Sequence, residues 1–381
     1  MPAPRNRRWA TAQFFVIACV LAGVASSWRP GVGFTHLIGF SRAWHDRELP
    51  SVRAVPHVDE TTGAYDGRFY AQLAVDPLVR DPAMDTALDA PMLRARRIFL
   101  PWLAWIIGLG QPAWILQAYA LLNVLAWLAL ASLLTRWIVV DSPSRFVLWT
   151  GCLLGYGALD SLRYGLTDLP AATLAALAIL FVERGRSVPA GLAAGAAGLT
   201  RETALLVCAA FAGLRRGATS WRATVQAIGV AVCPLLLWCL YLALARDWRA
   251  VSGVGNVGVP LRGLLWKVRD IDNQIATHGV DVPVVAMATA LIGFLAQGVV
   301  VMRGLATPAR NAWTLVAAAT FAFTLCVQLA PWAEVPGAYL RVALPLAIGA
   351  NVTLAAKPTA SWTAIVLTNL GVISALLTLR P

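Results

Sequence analysis

The chain predicts an all-α polytopic membrane protein, and three observations carry that reading. Its 381 residues are 59% apolar and only 13% charged, whereas a soluble globule is about a quarter charged. Too few charges are present to coat a soluble surface of this size, so a soluble enzyme is nearly excluded. Mean hydropathy of +0.67 excludes a disordered chain, which needs low hydrophobicity. Apolar runs approaching the ~20 residues that cross a bilayer as a helix also recur along the whole length.

The elements follow in order, within a single membrane domain over 1–381. Residues 9–28 (WATAQFFVIACVLAGVASSW) read as the first transmembrane helix, after Arg5, Arg7 and Arg8. Their apolar core is long for a signal peptide, although a small-residue stretch, Val24-Ala25-Ser26, lies near the end. Residues 29–97 break the pattern, with nine acids, nine arginines and scattered Pro and Gly. They predict a large folded loop on the outer, periplasmic side. Residues 98–109 are too short to span, and read as an interfacial or re-entrant helix. Further spans fall at about 112–135, 146–160, 169–183, 188–199, 203–214, 224–245, 282–302, 312–330, 338–355 and 361–379. With the first helix, this makes about 11 hydrophobic helices, some short or partial. Residues 98–245 form the central helices and 282–381 the C-terminal ones. Between them, 246–281 is a second periplasmic loop. Leu261, Leu264, Leu265, Val268, Ile271 and Ile275 recur in it at helical spacing, as in an amphipathic helix lying on a membrane surface.

Orientation follows from the short loops, because cytoplasmic loops carry excess Arg and Lys. With the N-terminus inside, the cytoplasmic segments hold 13 basic residues against Asp141 and Glu183. The net charge of +12 is therefore mostly a topology signal and not a nucleic-acid footprint. Only Lys267 and Lys357 among the 31 basic residues are lysines. Genome composition explains that bias, and phosphate recognition by guanidinium forks is compatible with it. The six cysteines sit in apolar runs without CxxC spacing, and read as small buried hydrophobes. The four histidines, His36, His45, His57 and His278, are not spaced for metal binding and read as loop residues. No metal and no cofactor are expected.

Candidate chemistry gathers at the outer ends of the spans. In the first loop, Asp59-Glu60 precede YDGRFYAQLAVDP (65–77). Asp66 there is a carboxylate above the bilayer able to deprotonate a hydroxyl, or simply part of an Asp-Gly turn. Tyr65, Phe69 and Tyr70 offer faces to a sugar or lipid, with Arg68 beside them. Arg94, Arg96 and Arg97 are either snorkelling arginines or a holder for a lipid-linked phosphate. In ALDSLRYGLTDLPAA (158–172), Asp160, Arg163 and Asp168 come close together, and Asp168 also suits a helix N-terminus. Arg201 and Glu202 interrupt what is otherwise one apolar run. Ionisable residues at such depth are a functional hypothesis by default, the alternative being a contact that caps two short helices. Gly191 and Gly195 form a GxxxG suited to close helix packing. Glu334 and Arg341 lie at the outer end of two late spans.

Four strings, YDGRFYAQLAVDP, RARRIFLPWLAW (94–105), GLTDLPAA (165–172) and LTRETALL (199–206), resemble GT-C-type integral-membrane glycosyltransferases. More closely, they resemble bacterial membrane proteins that build cell-surface glycopolymers. The C-terminal third resembles them mainly in hydropathy, apart from YLRVALP (339–345). The resemblance implies a GT-C-like multi-span fold and an outer-face active site in the bacterial cytoplasmic (inner) membrane. It also implies inverting transfer of a hexose or pentose from a polyprenyl-phosphate-linked donor to a glycan or lipid acceptor of the cell envelope. The position matching the family's general base is Asp66. Arg68 departs from the family's usual residue, and Asp59-Glu60 are competing acids. Asp59, Glu60, Tyr65, Arg68, Tyr70, Arg97, Asp160, Arg163, Asp168, Arg201, Glu202 and Arg341 are then expected at the substrate. Two other functions remain compatible with the composition: a transporter or flippase of a lipid-linked glycan, and a glycan ligase or polymerase. The mid-span segments are nearly free of charge, which favours chemistry on one face over a path through the membrane.

Overall fold

A computed structural model describes residues 7–60, 65–216, 221–246, 257–307 and 311–379, with the side chains of 213–216 excepted. Arg5, Arg310, the side chains of Arg215 and Arg216, and residues 247–256 of the second polar loop with Trp248 lie outside the described residues. The described chain is mostly helical. Its one named strand pair is short and parallel, Phe40–Ser41 against Asp59–Glu60.

Among the described residues, four helices are long and apolar enough to cross a membrane: Arg7–Ser26, Pro112–Leu134, Trp221–Arg246 and Val282–Leu305. A fifth crossing arises if Tyr156–Arg163 and Asp168–Glu183, bent by 120° at their junction, count as one broken span. The eleven expected spans are therefore not confirmed, and the reason is local. The run at 146–160 breaks at Gly155, whose extended ψ of 151° separates Pro143–Leu154 from Tyr156–Arg163. The last run divides into Trp362–Thr368 and Gly371–Thr378. Residues 203–214 fall in a 3₁₀ helix, Glu202–Arg216, which rises about 2.0 Å per residue and so is longer for its sequence than an α-helix.

Exposure follows what a bilayer demands. Arg7–Ser26 buries only Val24, and Trp221–Arg246 exposes Leu236, Leu237, Leu240 and Leu244. Ser187–Thr200 packs along Trp221–Arg246 through Gly191 and Gly195. A Cβ on Gly191 would stand 2.7 Å from the Ala227 carbonyl oxygen, and one on Gly195 would stand 3.2 Å from that of Ala231. The two backbones approach because neither glycine carries a side chain. The helix Arg262–His278 exposes Leu265, Val268 and Ile275. Its Lys267 is fully buried: the Nζ donates to the Glu334 carbonyl at 3.0 Å and lies 3.4 Å from Asp270 Oδ2.

The first polar stretch folds onto the helices. All of Gly67 through Ala74 in the helix Gly67–Val75 is buried, against Phe99–Ile107 and Pro112–Leu134. Asp66 immediately precedes this helix. At Gly67 a Cβ would collide with the Tyr164 and Ile38 carbonyls, so only glycine lets the loop seat against the Tyr164–Gly165 turn. Gly67→Ala is expected to destabilise by about 1–3 kcal/mol, the cost of overpacking a filled site. An unchanged unfolding temperature in detergent would show that the loop is not seated this way.

Candidate active site

The broken span brings polar groups to one end of the bundle. Between Tyr156–Arg163 and Asp168–Glu183, Gly165 adopts a φ of +58°. The freed backbone is satisfied by side chains: Tyr119 donates to the Gly165 carbonyl at 2.6 Å, and Ser161 Oγ accepts from Leu169 N at 3.0 Å. Such satisfaction is what non-helical backbone at membrane depth requires. Asp160 and Asp168, on either side of the break, are both buried.

Beside this turn lies a cavity of about 700 Å³. Its charged lining is Asp66, Glu202 and Glu334 against Arg94, Arg96, Arg97, Arg201 and Arg341, an excess of two positive charges. Leu93, Leu205, Leu206, Phe323, Val327 and Val342 contribute an apolar wall. The lining therefore combines a net positive charge with apolar side chains.

Each arginine has a defined seat. Arg94 is clamped between two aspartates: Nη2 and Nη1 meet Asp66 Oδ1 and Oδ2 at 2.8 Å each, and Nε and Nη2 reach Asp89 at 2.8 Å. Arg97 forks onto Glu202 with two bonds of 2.9 Å, and donates to the Tyr70 hydroxyl at 2.6 Å. Tyr70 also accepts from Arg94 at 3.3 Å, joining the two arginines. Arg201 Nη1 meets Asp168 Oδ1 at 2.6 Å. Arg341 lies 3.4 Å from Asp160 and 3.7 Å from Glu334, with its guanidinium 4.8 Å over the Tyr65 ring. Arg96 is the loosest, 3.9 Å from Glu202 and a quarter exposed.

Tyr65 ties the loop to the bundle. Its backbone N–H donates to the Gly39 carbonyl at 3.1 Å, its ring stacks on Tyr164 at 4.5 Å, and its hydroxyl donates to Glu334 at 2.9 Å. Burial pushes the phenol pKa upward, so it stays a donor. For Asp66, burial opposes ionisation, but the guanidinium of Arg94, together with those of Arg341 and Arg97, outweighs it and holds the carboxyl below the ordinary range.

The expected site residues thus divide. Asp66, Arg97, Arg201, Glu202 and Arg341 line the cavity. Tyr65, Tyr70, Asp160 and Asp168 stand directly behind it, each holding one or two of its charged residues. Arg68 is turned away, with its guanidinium 4.4 Å over Trp44 and 4.6 Å over Phe69. Arg163 lies 3.9 Å from Glu60, and neither residue reaches the cavity lining. Burial raises the Glu60 carboxyl against the opposing field of Arg163. Asp59 faces His45 and His57. The competing acids are therefore away from the cavity, and Glu334, in the late PWAEVPG stretch, is the third acid within it. Arg94 and Arg96 complete the charge set. Asp89, the second clamp on Arg94, carried no sequence signal.

A mostly helical protein with several helices of membrane-spanning length and apolarity defines a membrane protein, and its arginine-rich cavity also has apolar side chains in its lining. Residues 98–331 match the model of Glycosyltransferase family 87, and the chain belongs to that family, a GT-C-type group of membrane glycosyltransferases. The matched span contains Asp160, Asp168, Arg201 and Glu202 and begins just after Arg97, so Asp66 and Arg341 lie outside it. Among curated proteins and among solved structures nothing matches.

Proposed function

We propose that this glycosyltransferase moves a sugar from a polyprenyl-phosphate carrier to a glycan or lipid acceptor of the cell envelope. The reaction inverts the anomeric centre and takes place at the periplasmic face of a bacterial cytoplasmic membrane. The observation that carries the proposal is one cavity whose lining holds Asp66, five arginines and a set of apolar side chains. A phosphate monoester bearing an isoprenoid tail needs both kinds of lining. The Arg-rich cytoplasmic segments and the position of the 29–97 loop support the periplasmic placement.

In this reading the acceptor hydroxyl oxygen attacks the anomeric carbon while the bond from that carbon to the phosphate oxygen breaks. The electron pair leaves with the polyprenyl phosphate, and the hydroxyl proton passes to Asp66. One carboxylate opposite the leaving group is the geometry that inverting glycosidases also use. Arg96, Arg201 and Arg341, with fewer of their five donors engaged by described residues than Arg94, receive the phosphate. They stabilise its growing charge without protonating it. Asp66 is a weak base because Arg94 lowers its pKa. It accepts the proton late, once bond formation has made the hydroxyl acidic.

The test is transfer by the purified protein in proteoliposomes, offered polyprenyl-phosphate-sugar and, separately, the nucleotide sugar. Product from the lipid donor alone is expected. Turnover with the nucleotide sugar, and none with the lipid donor, would remove the carrier from the proposal.

A further inference from the structure

The folded 29–97 stretch gathers a second cluster that sequence spacing concealed. His45, Glu48, His57 and Asp59 each aim one ligand atom at a common point, and these atoms all lie within 4.8 Å of one another. His45 Nδ1 is 3.2 Å from Asp59 Oδ2 and 3.6 Å from Glu48 Oε2. His57 Nε2 is 3.3 Å from both Glu48 Oε2 and Asp59 Oδ1. The cluster lies outside the cavity lining.

Two features distinguish it from an ordinary polar contact. The Glu48 side chain is 1% exposed, and neither of its oxygens has a hydrogen-bond partner among the described residues. A buried carboxylate without hydrogen bonds is costly unless a cation compensates it. The second feature is the His57 tautomer. Its Nδ1 sits 2.7 Å from the Val55 carbonyl, which can only accept, so Nδ1 carries the proton. In the neutral ring Nε2 then presents a lone pair to two carboxylates that also only accept. A ring N–H anchored on a backbone carbonyl, with the other nitrogen aimed at a shared point, is how metal-ligating histidines are held.

We propose that His45, Glu48, His57 and Asp59 bind one divalent transition metal ion, with zinc as the best match. Two imidazole nitrogens select against magnesium and calcium, which prefer all-oxygen shells, and four ligands of this N₂O₂ type suit tetrahedral zinc. The ion is structural. It joins the 3₁₀ turn Arg42–Arg47 to the strand Asp59–Glu60, and that region braces the helix following Asp66. Leu49 N donates to Gln72 Oε1 at 2.9 Å, and Trp44 packs edge-on against Phe69. The expectation that none of the histidines binds metal is thereby revised for His45 and His57, while His36 pairs with Glu60.

The test uses untagged full-length protein in detergent, stripped with a chelator, titrated with zinc sulfate and desalted. It is independent of any transferase assay. About one retained zinc per chain and an unfolding temperature raised by roughly 5 °C are expected, with no shift from magnesium. His45→Ala changes a side chain that is 41% exposed and so spares the fold, and Glu48→Gln keeps the shape. Both are expected to lose the zinc and the shift. A wild-type protein that retains no zinc, or variants that retain as much as wild type, would overturn the proposal; the first result means that a protonated His57 alone balances the acids.

Discussion

Replacing Asp66 by Asn is expected to lower kcat about 10²–10⁴-fold, the range supplied by a positioned general base, while the protein still inserts and folds. Asparagine keeps the shape and still offers Arg94 one oxygen, but it cannot take the acceptor's proton. Glu334→Gln is the control. It neutralises the third cavity acid while leaving Tyr65 an amide oxygen to donate to, and is expected to raise KM more than it lowers kcat. If Asp66→Asn retains full turnover and Glu334→Gln loses it, the base is Glu334. The pH profile adds a second reading. Asp66 works as the carboxylate, and Arg94 holds its pKa below the ordinary value, about 3.9 for aspartate. The acid limb due to Asp66 therefore falls below the normal carboxylate range, and the rate stays flat from neutrality down to it. Stability has the same sign. A depressed folded pKa gives stabilisation that is complete above the unfolded value and lost as pH falls through the folded one. Arg94→Lys supplies a single-point donor that cannot fork onto two aspartates, so it should move the acid limb upward.

The sequence disclosed charges that interrupt apolar runs and hid those whose direction depends on the turn. Arg201, Glu202 and Arg341 were legible because a charge inside an apolar stretch needs a polar destination, and all three reach the cavity. Arg68 was not. It stands two residues from Asp66, but at about 100° per helical residue the two side chains point apart, and Arg68 turns onto Trp44. Asp59 and Glu60 looked like one acidic pair. They lie on a strand, where successive side chains point to opposite faces, so one meets His45 and His57 and the other His36 and Arg163. The expected span count is not confirmed for a related reason. Hydropathy registers apolar composition, whereas Gly155 and the Tyr164–Thr167 turn break helices without changing it.

The Arg97–Glu202 pair should carry the largest single electrostatic contribution to the fold around the site. Arg97 ends the first loop and Glu202 begins the 3₁₀ helix, 105 residues later, and the two share a bidentate contact at 2.9 Å. The Arg97 side chain is 9% exposed and Glu202 is 24% exposed, toward the cavity. Removing one partner leaves the other charged in a poorly hydrated place, a penalty of about 3–5 kcal/mol for a buried pair, and Glu202's partial exposure puts the value near the lower end. Glu202→Gln alone should therefore lower the unfolding temperature sharply and lower transfer as well, since Glu202 and Arg97 both line the cavity and Tyr70 links Arg97 to Arg94. Arg97→Met alone should behave alike. The double variant Arg97→Met with Glu202→Met is expected to recover much of the stability, because no uncompensated charge remains, but not the transfer activity. A double-mutant cycle in detergent measures this directly. Additive single losses, with no recovery in the double, would mean that the two residues act independently and that the cavity is not closed by this pair.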